Sequence, residues 1–250
     1  MNKIVIFSFF VLFTINCATG GLDEKDPVKS YDYASKPFIG GNYEIAIERL
    51  SKYRARFPYA KQIAEVDLMI ADAHFKSEQF DEAAFEYSQF AKLRPNHAKV
   101  PYALYQLGEC FWLDAPDDND REQAFTQKAI VEWQRLIKQF PNNEYTKKSQ
   151  EKISLGKRRI ADHMKFIGDY YCKMKIYHSC ASRFLDLVKK YPQYADLVQH
   201  SHKKSAFALE KLLAEKKNKN LKNDANLFFK NMSDEQLRAK IADIKSKIVR

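Results

Sequence analysis

The feature that most constrains the fold is a spacing. Ala34, Ala46 and Pro58 lie twelve residues apart, Ala71, Ala83 and Pro95 repeat that interval, and Gly168, Cys180 and Pro192 repeat it again. Small side chains at the first two positions let two antiparallel helices approach closely. The proline, with no backbone N–H to continue a helix, closes the second one. A fourth copy, Gly108, Ala129 and Pro141, keeps the second interval and stretches the first. The stretch holds Asp114-Ala115-Pro116-Asp117-Asp118-Asn119-Asp120, a polar loop between the paired helices.

This is the tetratricopeptide (TPR) pattern, and it predicts an all-α solenoid of helical hairpins, about five repeats with an extra C-terminal helix. Such units stack into a superhelix whose groove binds peptide segments or partner domains and does no chemistry. With 45% hydrophobic and 30% charged residues, seven glycines and eight prolines, the chain is globular.

The first unit runs from Tyr31 to Pro58, with Gly40-Gly41-Asn42 as its turn and Ile45, Ile47 and Leu50 as apolar positions. In the second, Val66, Leu68, Ile70, Ala71 and Phe75 precede the turn Ser77-Glu78-Gln79, and Phe80, Ala83, Ala84, Tyr87 and Phe90 follow it. The third begins near Pro101 and resumes after the acidic loop with Ile130, Trp133, Leu136 and Ile137. From Tyr145 to about Lys173 only Gly156 and Gly168 interrupt the pattern, which predicts one helix of roughly forty ångströms at 1.5 Å per residue. Tyr177 to Pro192 closes the fourth unit, and a further helix follows from Tyr194 to about Lys216. Ser233-Asp234-Glu235-Gln236 is a capping box ahead of Leu237, Ile241, Ile244 and Ile248. The last helix should run nearly to Arg250, completing a fifth repeat or docking on a partner.

Met1-Asn2-Lys3 followed by the apolar run from Ile4 to Phe13 reads as a secretory signal over 1–16. Cys17 ends it and opens a tether over 17–30, beginning Ala18-Thr19-Gly20-Gly21, so Cys17 is the expected lipidation site of a bacterial lipoprotein. Thr14-Ile15-Asn16 depart from the usual residues before such a cysteine. Cleavage near Ala18 and an uncleaved anchor are the alternatives, and all three send the chain outside the cytoplasm. Cys110, Cys172 and Cys180 remain, with no C-x-x-C spacing. Cys180 reads as a packed small residue facing Gly168, with a Cys172 to Cys180 bridge as the other possibility.

The six histidines are scattered, and the pair His200 and His202 is spaced i, i+2, which points two helix side chains apart. No nucleophile elbow, phosphate loop, zinc-binding helix motif or dinucleotide fingerprint occurs, so no catalytic residue, metal or cofactor is expected. The net charge of +10 and the run Lys147, Lys148, Lys152, Lys157, Arg158 and Arg159 would suit nucleic acid. The secretory signal argues against it, and anionic lipid or an acidic partner fits better.

Three stretches carry a closer likeness: Leu93-Arg94-Pro95-Asn96-His97 leading to Tyr102, Tyr105 and Gly108; Phe140-Pro141-Asn142 with Tyr145-Thr146; and Asp169-Tyr170-Tyr171 leading through Tyr177 to Arg183 and Tyr191-Pro192. Over about Tyr31 to Lys216 the sequence resembles the BamD family, the TPR lipoproteins of the machinery that inserts β-barrel proteins into the outer membrane. Asp120-Arg121 matches a family turn in which Gln123 replaces a proline, and Met164 stands where the family carries a glutamate. The resemblance implies N-terminal TPR units over 31–100 that meet unfolded β-barrel clients, with Phe57 and Tyr59 as client-binding residues. It implies C-terminal units over 101–216 that grip a POTRA domain of the barrel-forming subunit through Tyr170, Tyr171 and Arg183, alongside other assembly lipoproteins. The basic linker and helix over 217–250 match less closely. Another envelope TPR adaptor, such as a pilotin for secretin assembly or a cell-division or cell-wall coordinator, is the alternative, and would lack the Tyr-Tyr to Arg183 stretch.

Overall fold

The computed structural model describes residues 25–217 and 231–248, and among them every regular element is an α-helix. In chain order these are α1 (Pro27–Ile39), α2 (Tyr43–Arg56), α3 (Ile63–Lys76), α4 (Phe80–Leu93), α5 (Val100–Asp114), α6 (Ala124–Gln139), α7 (Glu144–Lys173), α8 (Tyr177–Lys190), α9 (Ala195–Lys217) and α10 (Asp234–Ser246). They pair as five hairpins, each packed on the next. The expected signal, Cys17 and the residues 218–230 lie outside the described residues.

Local chemistry sets the boundaries. Asp26 caps α1, its carboxylate accepting from the Val28 and Lys29 N–H groups at 2.9 and 3.2 Å, and Pro27 sits in the first turn where no N–H is missed. The expected tether therefore gives its last four residues, 27–30, to the first helix. The repeating prolines fall where the spacing puts them. Phe57, Arg94, Phe140 and Tyr191 end α2, α4, α6 and α8 in one shared conformation, φ −124 to −133° and ψ 54 to 63°, and Pro58, Pro95, Pro141 and Pro192 follow.

The turns inside three hairpins are also copies. Gly41 (φ 75°), Glu78 (φ 59°) and Lys175 (φ 59°) each take the left-handed conformation that joins the two helices. In each, that residue's N–H bonds to the carbonyl three back, Phe38, Phe75 or Cys172, at 3.1 Å. In the third hairpin the turn is replaced by the acidic loop. There Gln123, 2% exposed, donates its side-chain amide to the Pro116, Asp118 and Arg121 carbonyls at 3.1 to 3.3 Å. That glutamine, standing where the resemblance implied a proline, fills the loop from the inside.

The small residues of the repeat are buried: Ala34, Ala46, Ala71, Ala83, Ala129 and Cys180 are all 0% exposed. Their facing partners differ from the expected ones. Gly168 lies against the ring of Phe184, not Cys180, and Gly108 lies against the indole of Trp133. The glycine makes a hole for the ring one helical turn beyond the small residue, which ridge-into-groove packing of antiparallel helices requires. Cys180 instead forms a disulfide with Cys172, their Cα atoms 5.0 Å apart, so the bridge replaces the expected simple packing.

The long helix α7 spans 30 residues, about 45 Å at 1.5 Å per residue. At the far end Leu237, Ile241 and Ile244 of α10 bury against Ala206, Leu209 and Leu212 of α9. The expected extra helix is thus the second helix of a fifth hairpin, capped as expected by Ser233 and Gln236, and it stops at Ser246. Among the described residues no helix is long and apolar enough to cross a membrane.

Candidate partner interface

Because three hairpins share one turn, the same surface position can be read in each. Eight residues after Gly41, Glu78 and Lys175 stand Arg49, Glu86 and Arg183. Arg49 stacks over the Tyr33 ring at 4.1 Å and donates to the Tyr33 carbonyl at 3.5 Å. Glu86 accepts two hydrogen bonds from Arg54, at 2.7 and 3.0 Å. Arg183 is exposed and, among the described residues, has no ion-pair, hydrogen-bond or ring partner. A rigid, permanently charged fork is left facing solvent at a position whose counterparts are satisfied within the chain.

The last turns of α7 flank it. Tyr170 is 50% exposed, and Tyr171 is half-buried against the core that holds Cys172, Cys180 and Tyr177; the two rings meet edge-on at 5.9 Å. Neither tyrosine touches Arg183 through a ring or polar contact, so the structure sets the three on one hairpin without joining them. Beside Tyr170, Asp169 receives Lys165 at 2.8 Å, His200 at 3.0 Å and Lys204 at 3.4 Å, tying α7 to α9. Burial pushes the Asp169 carboxyl up, but the hydrogen bonds from Lys165 and His200 outweigh this and hold it below the ordinary carboxylate range. Phe166 and Met174, at i−4 and i+4 from Tyr170, are 42% and 53% exposed and extend an apolar stripe that the repeat reading did not pick out. A signal was present for Phe166, which falls off the α7 face marked by Ile153, Ile160 and Gly168, whereas Met174 lies just past the end of the helix.

Half of the basic run on α7 is paired with carboxylates inside the molecule. Lys152 pairs with Glu109 at 2.7 Å and Arg158 with Asp196 at 2.7 Å. Arg159 pairs with Asp117 of the acidic loop at 2.8 Å and stacks on Trp112 at 3.7 Å. These contacts consume three of the six charges as internal struts, while Lys147 and Lys148 stay exposed.

At the other end the two aromatics paired by the resemblance part company. Phe57 packs beside Tyr53, ring centroids 5.2 Å apart, partly buried against the core of the first hairpin, whereas Tyr59 is 97% exposed. Pro58 between them lines a cleft of about 390 Å³ against α4, with Phe85 and Leu93 as its exposed apolar wall. Its floor is charged. Asp67 holds Arg94 at 2.7 Å and Arg54 at 3.5 Å; burial pushes the Asp67 carboxyl up against the pull of both guanidiniums. Phe85 and Leu93 were missed because they sit off the buried stripe of Ala83, Ala84, Tyr87, Phe90 and Ala91, and that misfit was the available signal.

Among the described residues no group of histidine, cysteine, aspartate or glutamate could hold a metal ion. Cys110 is buried and its thiol is pushed up to about 12 by that burial, which leaves it inert.

Proteins named outer membrane protein assembly factor BamD are similar to this chain. The one from Vibrio cholerae is 23% identical over 196 residues, covering 75% of this chain and 81% of its own length. That from Pasteurella multocida is 25% identical over 77% and 79%, and that from Neisseria gonorrhoeae 25% over 76% and 78%. Among solved structures, MamA from Desulfovibrio magneticus covers 90% of this chain and 97% of its own at 12% identity and a TM-score of 0.37, too low to add to the fold. A family model described as YfiO, outer membrane lipoprotein, matches residues 23–224, from just after the expected lipidated cysteine to beyond α9: the chain belongs to that outer membrane lipoprotein family, the one its BamD-like motifs had pointed to.

Proposed function

We propose that this protein is a non-enzymatic scaffold of outer-membrane β-barrel assembly, anchored at the periplasmic face of the outer membrane through lipid on Cys17. The relatives are named as assembly factors, and a solenoid of hairpins suits a role built on surfaces. Arg183, with Tyr170 and Tyr171, grips a POTRA domain of the barrel-forming subunit by presenting its fork to a carboxylate. The observation that carries this is the unpaired state of Arg183 beside its satisfied counterparts Arg49 and Glu86. The N-terminal hairpins receive unfolded clients at Tyr59 and the neighbouring cleft, and Phe57 supports that site from the core.

The test is to tag the C-terminus, extract membranes in mild detergent and identify co-purifying proteins by mass spectrometry. A POTRA-bearing barrel protein should be recovered and should be lost with Arg183→Glu. If the contact is desolvated, truncating Arg183 costs about 2 kcal/mol or more, about a 30-fold loss of affinity. Recovery of a secretin or a cell-wall enzyme instead would replace this reading with that of another envelope adaptor.

A further inference from the structure

The three copied turns differ in what holds them shut. In the first hairpin Phe38 and Tyr43 meet across the turn with ring centroids 5.8 Å apart, and in the second Phe75 and Phe80 meet at 5.6 Å, both edge-on. The equivalent residues of the fourth hairpin are Cys172 and Tyr177, fixed by the identical carbonyl contacts of Gly41, Glu78 and Lys175. No aromatic pair can form there, and Tyr177 turns to Phe207 of α9 at 6.1 Å. Cys172 instead bonds to Cys180, which occupies the small position held by Ala46 and Ala83 in the first two hairpins. The turn it closes holds Lys175 in the left-handed conformation that a residue with a side chain seldom takes. This hairpin carries Tyr170, Tyr171 and Arg183.

We propose that the Cys172–Cys180 disulfide is a redox-dependent clasp standing where the other hairpins use an aromatic pair, and that its reduction loosens the α7–α8 turn and weakens partner binding at Arg183. The binding half of this inference rests on the proposed function above. Forming the clasp removes two protons and two electrons from the thiols and reduces the disulfide of a thiol–disulfide oxidoreductase to a dithiol. Dithiothreitol reverses it, breaking the S–S bond and becoming a cyclic disulfide. Buried Cys110 does not compete for either sulfur.

The experiment compares oxidised and dithiothreitol-treated full-length protein by amide hydrogen exchange, with the second hairpin as internal reference, and measures affinity for the co-purified partner. Reduction should speed exchange over 174–180 by about five-fold or more while 77–83 stays unchanged, and should weaken binding by about ten-fold. Cys172→Ser/Cys180→Ser should match the reduced protein in both conditions. Cys172→Phe/Cys180→Ala rebuilds the Phe75 and Ala83 arrangement, and should restore protection and binding even in reductant. Free thiols at both positions in the oxidised protein, or equal exchange in the two states, would overturn the clasp. Arg183→Glu in the same assay separates the two readings. Loss of binding with Arg183→Glu but none on reduction overturns the clasp's role in binding, whereas no loss with either overturns the interface as well.

Discussion

A Cβ built on Gly108 would lie 2.2 Å from Nε1 of Trp133 and 2.6 Å from Cδ1 and Cε2. Ordinary contact begins more than an ångström farther out, so in Gly108→Ala the indole has to retreat by about 1 Å. It has little room. Trp133 is 0% exposed, packed with Ala129, Ile130, Ile153 and Ile160, and its Nε1–H donates to the Tyr105 carbonyl at 3.2 Å. Overpacking costs about 1–3 kcal/mol and a disturbed buried hydrogen bond about 1 more, while alanine returns about 1 kcal/mol of helix propensity. The net is about 1–3 kcal/mol of destabilisation, and at 2 kcal/mol a chain of this size loses about 4–8 °C in melting temperature.

Two further variants make the thermal melt, followed by circular dichroism, decisive. Gly156→Ala places its Cβ 3.0 Å from Cδ1 and Cγ1 of Ile130, the movable end of an aliphatic chain, and should stay within about 1 kcal/mol of the parent. In a Trp133→Leu background the added cost of Gly108→Ala should vanish, a coupling of about 1–3 kcal/mol between the two sites. A Gly108→Ala melt indistinguishable from the parent, or a cost that persists without the indole, would refute the packing argument.

Asp72 accepts from both Tyr87 and Tyr102, at 2.5 and 2.7 Å, between the second and third hairpins; burial raises its pKa despite those bonds. A raised folded value means the stabilising contribution is complete below the unfolded pKa and is lost as pH rises through the folded one. Asp72→Asn should therefore melt at or above the parent at pH 7, with Asp72→Ala well below both. Gln123→Ala should strip the acidic loop of three hydrogen bonds, costing about 2–4 kcal/mol and exposing Arg121 to trypsin under native conditions. Tyr59→Asn should lower photocrosslinking to an unfolded outer-membrane protein by about ten-fold, as loss of an exposed aromatic anchor does, while leaving the melting temperature unchanged.

What could be read in the sequence was local. Prolines at 58, 95, 141 and 192 and the small residues before them report backbone chemistry within one hairpin, and the helices formed where those signals put them. Asp26-Pro27 was an equally local cap signal, and the tether reading passed over it. What could not be read was which side chain fills a hole. The spacing aligned Gly168 with Cys180, but the ring of Phe184, a turn farther on, takes the space because it is large enough to use it. The disulfide depended on the turn at Lys175 bringing two Cα atoms to 5.0 Å, which a separation of eight residues does not fix. Lys152, Arg158 and Arg159 of the basic run met their carboxylates across 38 to 43 residues of chain, beyond the reach of any periodicity.

A repeat protein carries its own controls, because one backbone position recurs with different side chains. Phe57 ends α2 where Phe140 ends α6 and Tyr191 ends α8, all partly buried against a core, and among these proline-closed helices only α4 ends differently, in Arg94, so an aromatic there recurs through most of the repeats. Two residues on, just after the proline, the later units place Asn96, Asn142 and Gln193, and only the first places an aromatic, Tyr59. The amides suit a solvated turn; a phenol 97% exposed there gains nothing from the fold. The same comparison isolates Arg183 from Arg49 and Glu86, and Cys172 from Phe38 and Phe75. Where a copy abandons the side chain its siblings use and the fold gains no contact from the change, as at Tyr59, a partner contact is the reading to test. That comparison ranks Tyr59 above Phe57 as the proposed client residue, and it is the ground on which Tyr59→Asn, which merely installs the side-chain amide of the other repeats, becomes a test of function rather than of stability.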